Sequence, residues 1–258
     1  MVVVLSSRLR FGLCYALRHV LISVTVALMS ALGVFGLLYP VPYYAMLGVA
    51  DIYVLLLAAD VVCGPLLTLV LASPSKSRRE RWVDFSLVGL VQLAALVYGL
   101  HSLWVARPVV LAFEVDRLVV VTANEVDVSA LAYAPQGMRH LPTFGVMRVG
   151  TRRAANATEM MESVDLGLSG ISSAMRPGWW TPWDDQRSAM KARAKPLSEL
   201  TARRPQDAQA LRDAAKATGA DPAALFYLPL TSRKVKEWVA LLDTGMNVVG
   251  YAPVDGFD

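Results

Sequence analysis

The chain is 258 residues long, with 55% hydrophobic and only 18% charged residues, and its formal net charge is +4. A soluble globular protein carries roughly 25% charged residues, so this composition excludes a disordered chain and disfavours a purely cytosolic enzyme. Residues 1–106 hold seven Lys+Arg and four Asp+Glu, residues 107–258 hold eighteen and seventeen, and the hydrophobic excess belongs to the first part alone.

Residues 20–38 are almost unbroken apolar sequence, and no charge occurs between residues 20 and 50. About 20 apolar residues rising 1.5 Å each cross a hydrocarbon core roughly 30 Å thick, so the sequence predicts a membrane helix over about 13–38. Tyr39-Pro40-Val41-Pro42-Tyr43-Tyr44 ends it with prolines and an interfacial aromatic group. Arg8, Arg10 and Arg18 precede it as in a signal peptide, but the apolar run exceeds the usual ~7–15 residues, which reads as a retained anchor. A second span is predicted over 52–73, carrying one charge, Asp60, and a third over 85–106, carrying none.

Short-loop Lys and Arg set the orientation. They sit in the N-terminal tail and at Lys76, Arg78, Arg79 and Arg81, and the loop between the first two spans has none. The N-terminus and the 74–84 loop are therefore expected in the cytoplasm, and residues 107–258 outside it. These basic clusters are membrane flanks and require no nucleic acid.

The second part reads as one α+β domain. Residues 109–115 and 118–122 form a predicted hairpin around Asp116-Arg117, and 238–242 with 247–251 a second, whose turn takes its positive φ from Gly245. A helix is predicted over 205–218, with Pro205 near its start and Gly219 just past its end. Residues 133–200, rich in Pro, Gly and Ser, give no assignable pattern. The fold class is thus a membrane protein: three transmembrane α-helices (residues 1–106) followed by an extracytoplasmic α+β domain (residues 107–258).

Chemistry is sparse. There is no zinc-protease, nucleophile-elbow or phosphate-loop motif, no metal-type Cys/His spacing and no disulfide framework, since Cys14 and Cys63 both lie in the membrane part. No cofactor, metal or catalytic residue is expected. Trp179, Trp180 and Trp183 are candidates for a partner or membrane-surface contact, or for a local core under a long loop. Asp60 is the sharpest single feature, because an aspartate at a helix centre costs roughly 2.5–3.5 kcal/mol to insert. Pro65 leaves the Val61 carbonyl without its helical donor. Matching depths across the spans predicts that Asp60 bonds to Ser30 or Tyr98, with Gln92 lying deeper. Asp60 is then either packing glue or a proton or partner-helix contact.

Several segments together resemble the type IV pilin accessory proteins of the TfpX/TfpZ type: Tyr39-Pro40, Asp60-Val61-Val62-Cys63-Gly64-Pro65-Leu66-Leu67-Thr68-Leu69, Pro74-Ser75-Lys76, Gln92-Leu93-Ala94-Ala95-Leu96-Val97-Tyr98-Gly99, Arg107-Pro108-Val109 and Phe113-Glu114-Val115-Asp116-Arg117. The resemblance implies a non-enzymatic inner-membrane accessory factor of a Gram-negative bacterium, a pilin-specific chaperone or assembly modulator whose C-terminal domain is periplasmic. Its expected partners are a cognate type IV pilin and the lipid bilayer. Asp60, Gly64, Pro65, Gln92, Ala95, Tyr98 and Gly99 are the candidate helix-packing or pilin-contact residues. Two rival readings remain: a small envelope enzyme, a transferase or hydrolase using Asp60 or outer carboxylates, and a sensor, for which the sequence supplies no output domain.

Overall fold

The computed structural model describes residues 2–257. The chain divides into two units, Met1–Val105 and Ala106–Asp258.

In the first unit, helix α1 (Val2–Gly33) continues through a π-helical turn, Val34–Leu38. After the short α2 (Tyr43–Met46), α3 (Val49–Leu57), a π-helical stretch (Ala58–Cys63) and α4 (Gly64–Leu71) follow one another without a break. The last helix is α5 (Arg78–Val105). Three segments, Arg8–Leu38, Val49–Leu71 and Arg78–Val105, are long and apolar enough to cross a membrane, as expected from composition. Large apolar side chains such as Leu21, Met29, Leu32, Leu55 and Val70 point outward, the arrangement of helices solvated by lipid rather than water. The smaller buried set is Val34, Tyr39, Val49, Tyr53 and Leu103.

Two details differ from the sequence reading. Helix α5 begins seven residues before the predicted start, because Ser77 and Glu80 form a reciprocal cap: the Glu80 amide donates to Ser77 Oγ at 3.2 Å and the Ser77 amide to Glu80 Oε2 at 2.7 Å. Tyr39, expected among interfacial aromatics, is fully buried, and its hydroxyl donates to the Leu103 carbonyl at 2.8 Å. It thereby satisfies one of the carbonyls left open in the last turn of α5.

The second unit is built on an eight-stranded sheet. Its strands are β1 (Pro108–Glu114), β2 (Arg117–Thr122), β3 (Met147–Thr151), β4 (Trp180–Pro182), β5 (Lys195–Pro196), β6 (Phe226–Thr231), β7 (Trp238–Leu242) and β8 (Val248–Ala252). The order is β4-β3-β1-β2-β6-β7-β8, with β5 added on β6. Hairpin β1–β2 is central; β3 runs parallel to β1 and β6 parallel to β2. Parallel neighbours need long crossovers, and the unassigned middle of the sequence supplies them, with helices α6 (Ala157–Leu168) and α7 (Arg187–Arg193). Both faces of β1 and β2 are covered, so valines at successive positions are buried.

One side of the β1–β2–β3 region packs Val110, Ala112, Val121, Val149, Met175 and Trp180 together. Around β6–β8, helices α8 (Leu197–Arg203) and α9 (Ala208–Thr218) supply Leu200, Leu211 and Ala215 against Tyr227, Val239 and Leu241. The predicted helix over 205–218 is α9 preceded by a 3-10 turn, closed by Gly219 at φ +70°.

Both hairpins form, but their turns are not those expected. In the first, the turn residues are Val115 and Asp116, because Glu114 pairs with Arg117. Val115 takes φ +60° with its side chain exposed, and the Asp116 amide closes on the Glu114 carbonyl at 2.7 Å. In the second, the positive φ falls on Met246, at +62°, rather than on Gly245. Met246 is buried, and its anchored side chain offsets the unfavourable backbone. Strand β6 escaped the sequence reading because Pro229 interrupts it. Partner β2 reaches only Leu230 and Thr231, so the proline's missing N–H breaks no bond on that side.

Candidate functional site

Two places concentrate polar chemistry, one in each unit. In the helical unit, Asp60 lies in the π-helical stretch and is buried. The expected bond to Ser30 or Tyr98 does not form. Ser30 Oγ lies 2.6 Å from the Tyr53 hydroxyl and donates to the Ala27 carbonyl at 3.0 Å. Tyr98 is 74% exposed on the outer face of α5. The residue that reaches Asp60 is Gln92, whose Nε2 donates to the Asp60 carbonyl at 3.0 Å.

The π register explains the contact. In an α-helix the carbonyl that loses its donor to Pro65 is that of Val61; with i→i+5 pairing it is that of Asp60. Gln92 supplies the donor that the proline lacks. Gly64 makes room for it: a Cβ there would overlap the Gln92 carboxamide. Among the described residues, Asp60 Oδ1 and Gln92 Oε1 have no hydrogen-bond partner. His19 faces the bundle, with Nδ1 2.5 Å from Thr68 Oγ1.

The candidate helix-packing residues therefore separate into two groups. Asp60, Gly64 and Pro65 are buried, and Gln92 and Gly99 are half-buried, the space over Gly99 being filled by Leu56. Ala95 and Tyr98 lie on the exposed face of α5.

In the C-terminal unit, Trp179, Trp180 and Trp183 are all buried. Trp180 Nε1 donates to the Ala174 carbonyl at 2.8 Å. Trp179 carries two guanidinium groups over its ring, with Arg176 Cζ at 4.0 Å and Arg152 Cζ at 4.5 Å from the centroid. These arginines also hold helix α6 (Ala157–Leu168). Arg152 grips Glu159 with both terminal nitrogens, at 2.9 and 2.5 Å, and Arg176 donates to Ser163 Oγ at 2.8 Å. The bonds from Arg152, reinforced by the Ala155 amide, hold the Glu159 carboxyl down at about 2, against an ordinary 4.5.

Helix α6 is consequently mounted with its polar side inward. Glu159, Ser163 and Leu166 are its half-buried positions, and it has no fully buried residue. Met160, Met161, Val164 and Leu168 form an exposed apolar stripe at helical spacing, Leu168 being 84% exposed. Sequence reading missed this face, although Asn156 ahead of Glu159 marks the helix start: Asn156 Oδ1 accepts the Glu159 amide at 2.9 Å. No group of three or more His, Cys, Asp or Glu among the described residues is arranged to hold a metal.

Comparisons with known proteins fit this picture. Residues 7–48 match the family described as "Fimbrial assembly protein FimB". The "Fimbrial assembly protein, serogroup I" of Dichelobacter nodosus is 34% identical over 244 residues, covering 93% of this chain and 94% of the relative. The serogroup E1 protein of the same organism matches with the same identity and coverage. The protein of serogroups C1 and C2 is 38% identical over 116 residues, 45% of this chain and 88% of the relative. No solved structure matches. With such identity sustained over nearly the full length of two relatives, the chain belongs to the fimbrial assembly protein family.

Proposed function

We propose that this protein is a non-enzymatic inner-membrane accessory factor in type IV pilus biogenesis, a chaperone or assembly modulator that engages a pilin. In this reading the N-terminus and the 74–84 loop are cytoplasmic and the C-terminal unit is periplasmic, as the distribution of Lys and Arg favours. The full-length relatives named fimbrial assembly proteins support the biological process. The observation that carries the mode of action is the outward apolar stripe of α6. Surface patches of this kind mark interaction sites, and methionines suit a partner surface that must adapt its packing. The polar mounting by Arg152 and Arg176 keeps the stripe turned away from the domain's own core. A pilin globular domain is the occupant proposed for it, while the exposed Ala95–Tyr98 face of α5 is offered to the pilin's membrane helix.

The test is piliation with protein level monitored. Deleting the protein should reduce surface pili, and the paired variant Met161→Glu/Leu168→Glu should reduce them about tenfold or more at unchanged abundance, the loss of a central apolar contact. Photocrosslinkers at positions 161 and 168 should capture pilin, and those at Thr158 and Glu162 much less. Normal piliation in the paired variant, or equal capture at all four positions, removes α6 as the contact.

A further inference from the structure

The arginine-rich end of the helical unit carries a cleft between α1 and α5 of about 570 Å³, lined among the described residues by Tyr15, Arg78, Arg81, Trp82, Phe85 and Ser86. Its walls are ordered by rings: Phe11 and Tyr15 stand 4.9 Å apart, Tyr15 and Phe85 5.2 Å. Arg81 lies over Phe11 at 5.5 Å and Arg18 over Tyr15 at 5.7 Å. The neighbouring carboxylates are already engaged. Asp84 binds Lys76 Nζ at 2.6 Å, and Glu80 accepts the Ser77 amide in the helix cap. Arg18, Arg78, Arg79 and Arg81 form no ion pair among the described residues; Arg81 Nη1 donates to the Lys76 carbonyl at 2.8 Å, which leaves its other N–H groups for an anion. On the other side of Trp82, itself 74% exposed, a second trough of about 420 Å³ runs past Arg79, Val83, Leu87 and Leu90 along the span.

We propose that this end of the bundle is a binding site for an anionic phospholipid. The phosphate sits in the cleft against Arg78 and Arg81, and an acyl chain lies in the trough along Val83, Leu87 and Leu90. Arginine forks match phosphate oxygens in two-point hydrogen bonds, and basic pockets between spanning helices are suited to anionic headgroups. Trp82 stands between headgroup and chain, at the depth where an indole is both apolar and wet. A free phosphate would use the cleft alone; the apolar trough that continues from it is what assigns the site to a lipid. The site is independent of the pilin reading, because it concerns the protein and its bilayer only.

The full chain, purified in detergent and placed in nanodiscs of phosphatidylethanolamine with a minority of phosphatidylglycerol, provides the test, with retained lipid read by native mass spectrometry. Phosphatidylglycerol should be retained in preference to phosphatidylethanolamine. The variant Arg78→Gln/Arg81→Gln should weaken retention about tenfold or more, while Arg148→Gln/Arg233→Gln, with the same charge change on exposed residues of the C-terminal unit, should leave it unaltered. A photoactivatable phosphatidylglycerol should label residues 78–90 of the native protein. Equal retention of both lipids, label spread evenly over the spans, an equal effect of the control pair, or displacement by millimolar inorganic phosphate as effective as by competing lipid would each overturn the proposal.

Discussion

Gly64 and Gln92 behave as one unit. The glycine vacates the space that the carboxamide fills, and the carboxamide supplies the donor that Pro65 withholds from the Asp60 carbonyl. Gly64→Ala should therefore destabilise the protein by about 1–3 kcal/mol, the range for overpacking a filled site. Gln92→Ala should cost about 1–2 kcal/mol, the upper range for an interhelical bond in a bilayer. The two should not add: in the Gln92→Ala background the Gly64→Ala penalty should largely vanish, as neighbours sharing one cavity require. Thermal unfolding in detergent of the two single variants and the double variant checks this, and strict additivity would break the pairing. Counting inward from the span ends misplaced both expected partners: Ser30 meets Tyr53, seven residues before Asp60, and Tyr98 lies six positions beyond Gln92, about 240° further round at 3.6 residues per turn. A π turn, which no residue type announces, then moved the unpaired carbonyl from Val61 to Asp60.

At the level of elements, α6 is the informative case. Its stripe at 160, 161, 164 and 168 has helical spacing, but periodicity alone assigns such a stripe to the core. What turns it outward is an ion pair from Arg152, seven residues before Glu159, which a one-dimensional pattern does not contain. The hairpins, by contrast, were readable to within a residue, because β-branched runs broken by a short polar turn have few other solutions. Strand β6 was not, since Pro229 reads as a breaker until its neighbour is known to end beside it.

The α6 mounting has a pH signature. A carboxyl held at about 2 when folded and near 4.5 when unfolded stabilises the folded state above pH 4.5, and that contribution fades as pH falls from 4.5 toward 2. The Glu159 carboxyl resonance should thus titrate with its midpoint near 2, and amide exchange across Ala157–Leu168 should quicken selectively over that interval relative to β1 and β2. Glu159→Gln should give the same quickening at neutral pH. A midpoint near 4.5 would mean the Arg152 grip is absent in solution.

For the molecule as a whole, charge-poor sequence gives way to ordinary composition near residue 106, and the chain falls into two compact units, Met1–Val105 and Ala106–Asp258. Long apolar runs identify membrane spans because a bilayer demands one length and one chemistry; nothing as simple governs residues 133–200, whose strands and helices are fixed by distant partners. The proposed orientation predicts opposite labelling of two engineered thiols. With Cys14 and Cys63 replaced by serine, a cysteine at Ser169 should react with an impermeant maleimide in spheroplasts, and one at Ser75 only after the membrane is opened. The reverse result would invert the topology and move α6 to the cytoplasm.

Val115 sets folding and use against each other. A β-branched residue in left-handed backbone costs roughly 1–2 kcal/mol, and this one recovers little of that through packing, since its side chain is 73% exposed. Val115→Gly should accordingly raise the unfolding free energy of the C-terminal unit by about 1 kcal/mol. If the relieved variant is sturdier yet builds fewer pili, the turn has been kept by selection on performance at the expense of robustness, and its shape or its exposed methyls belong to the working surface. If piliation is unchanged, the valine is a tolerated historical burden, and glycine at 115 is a ready stabilising substitution for preparing the protein.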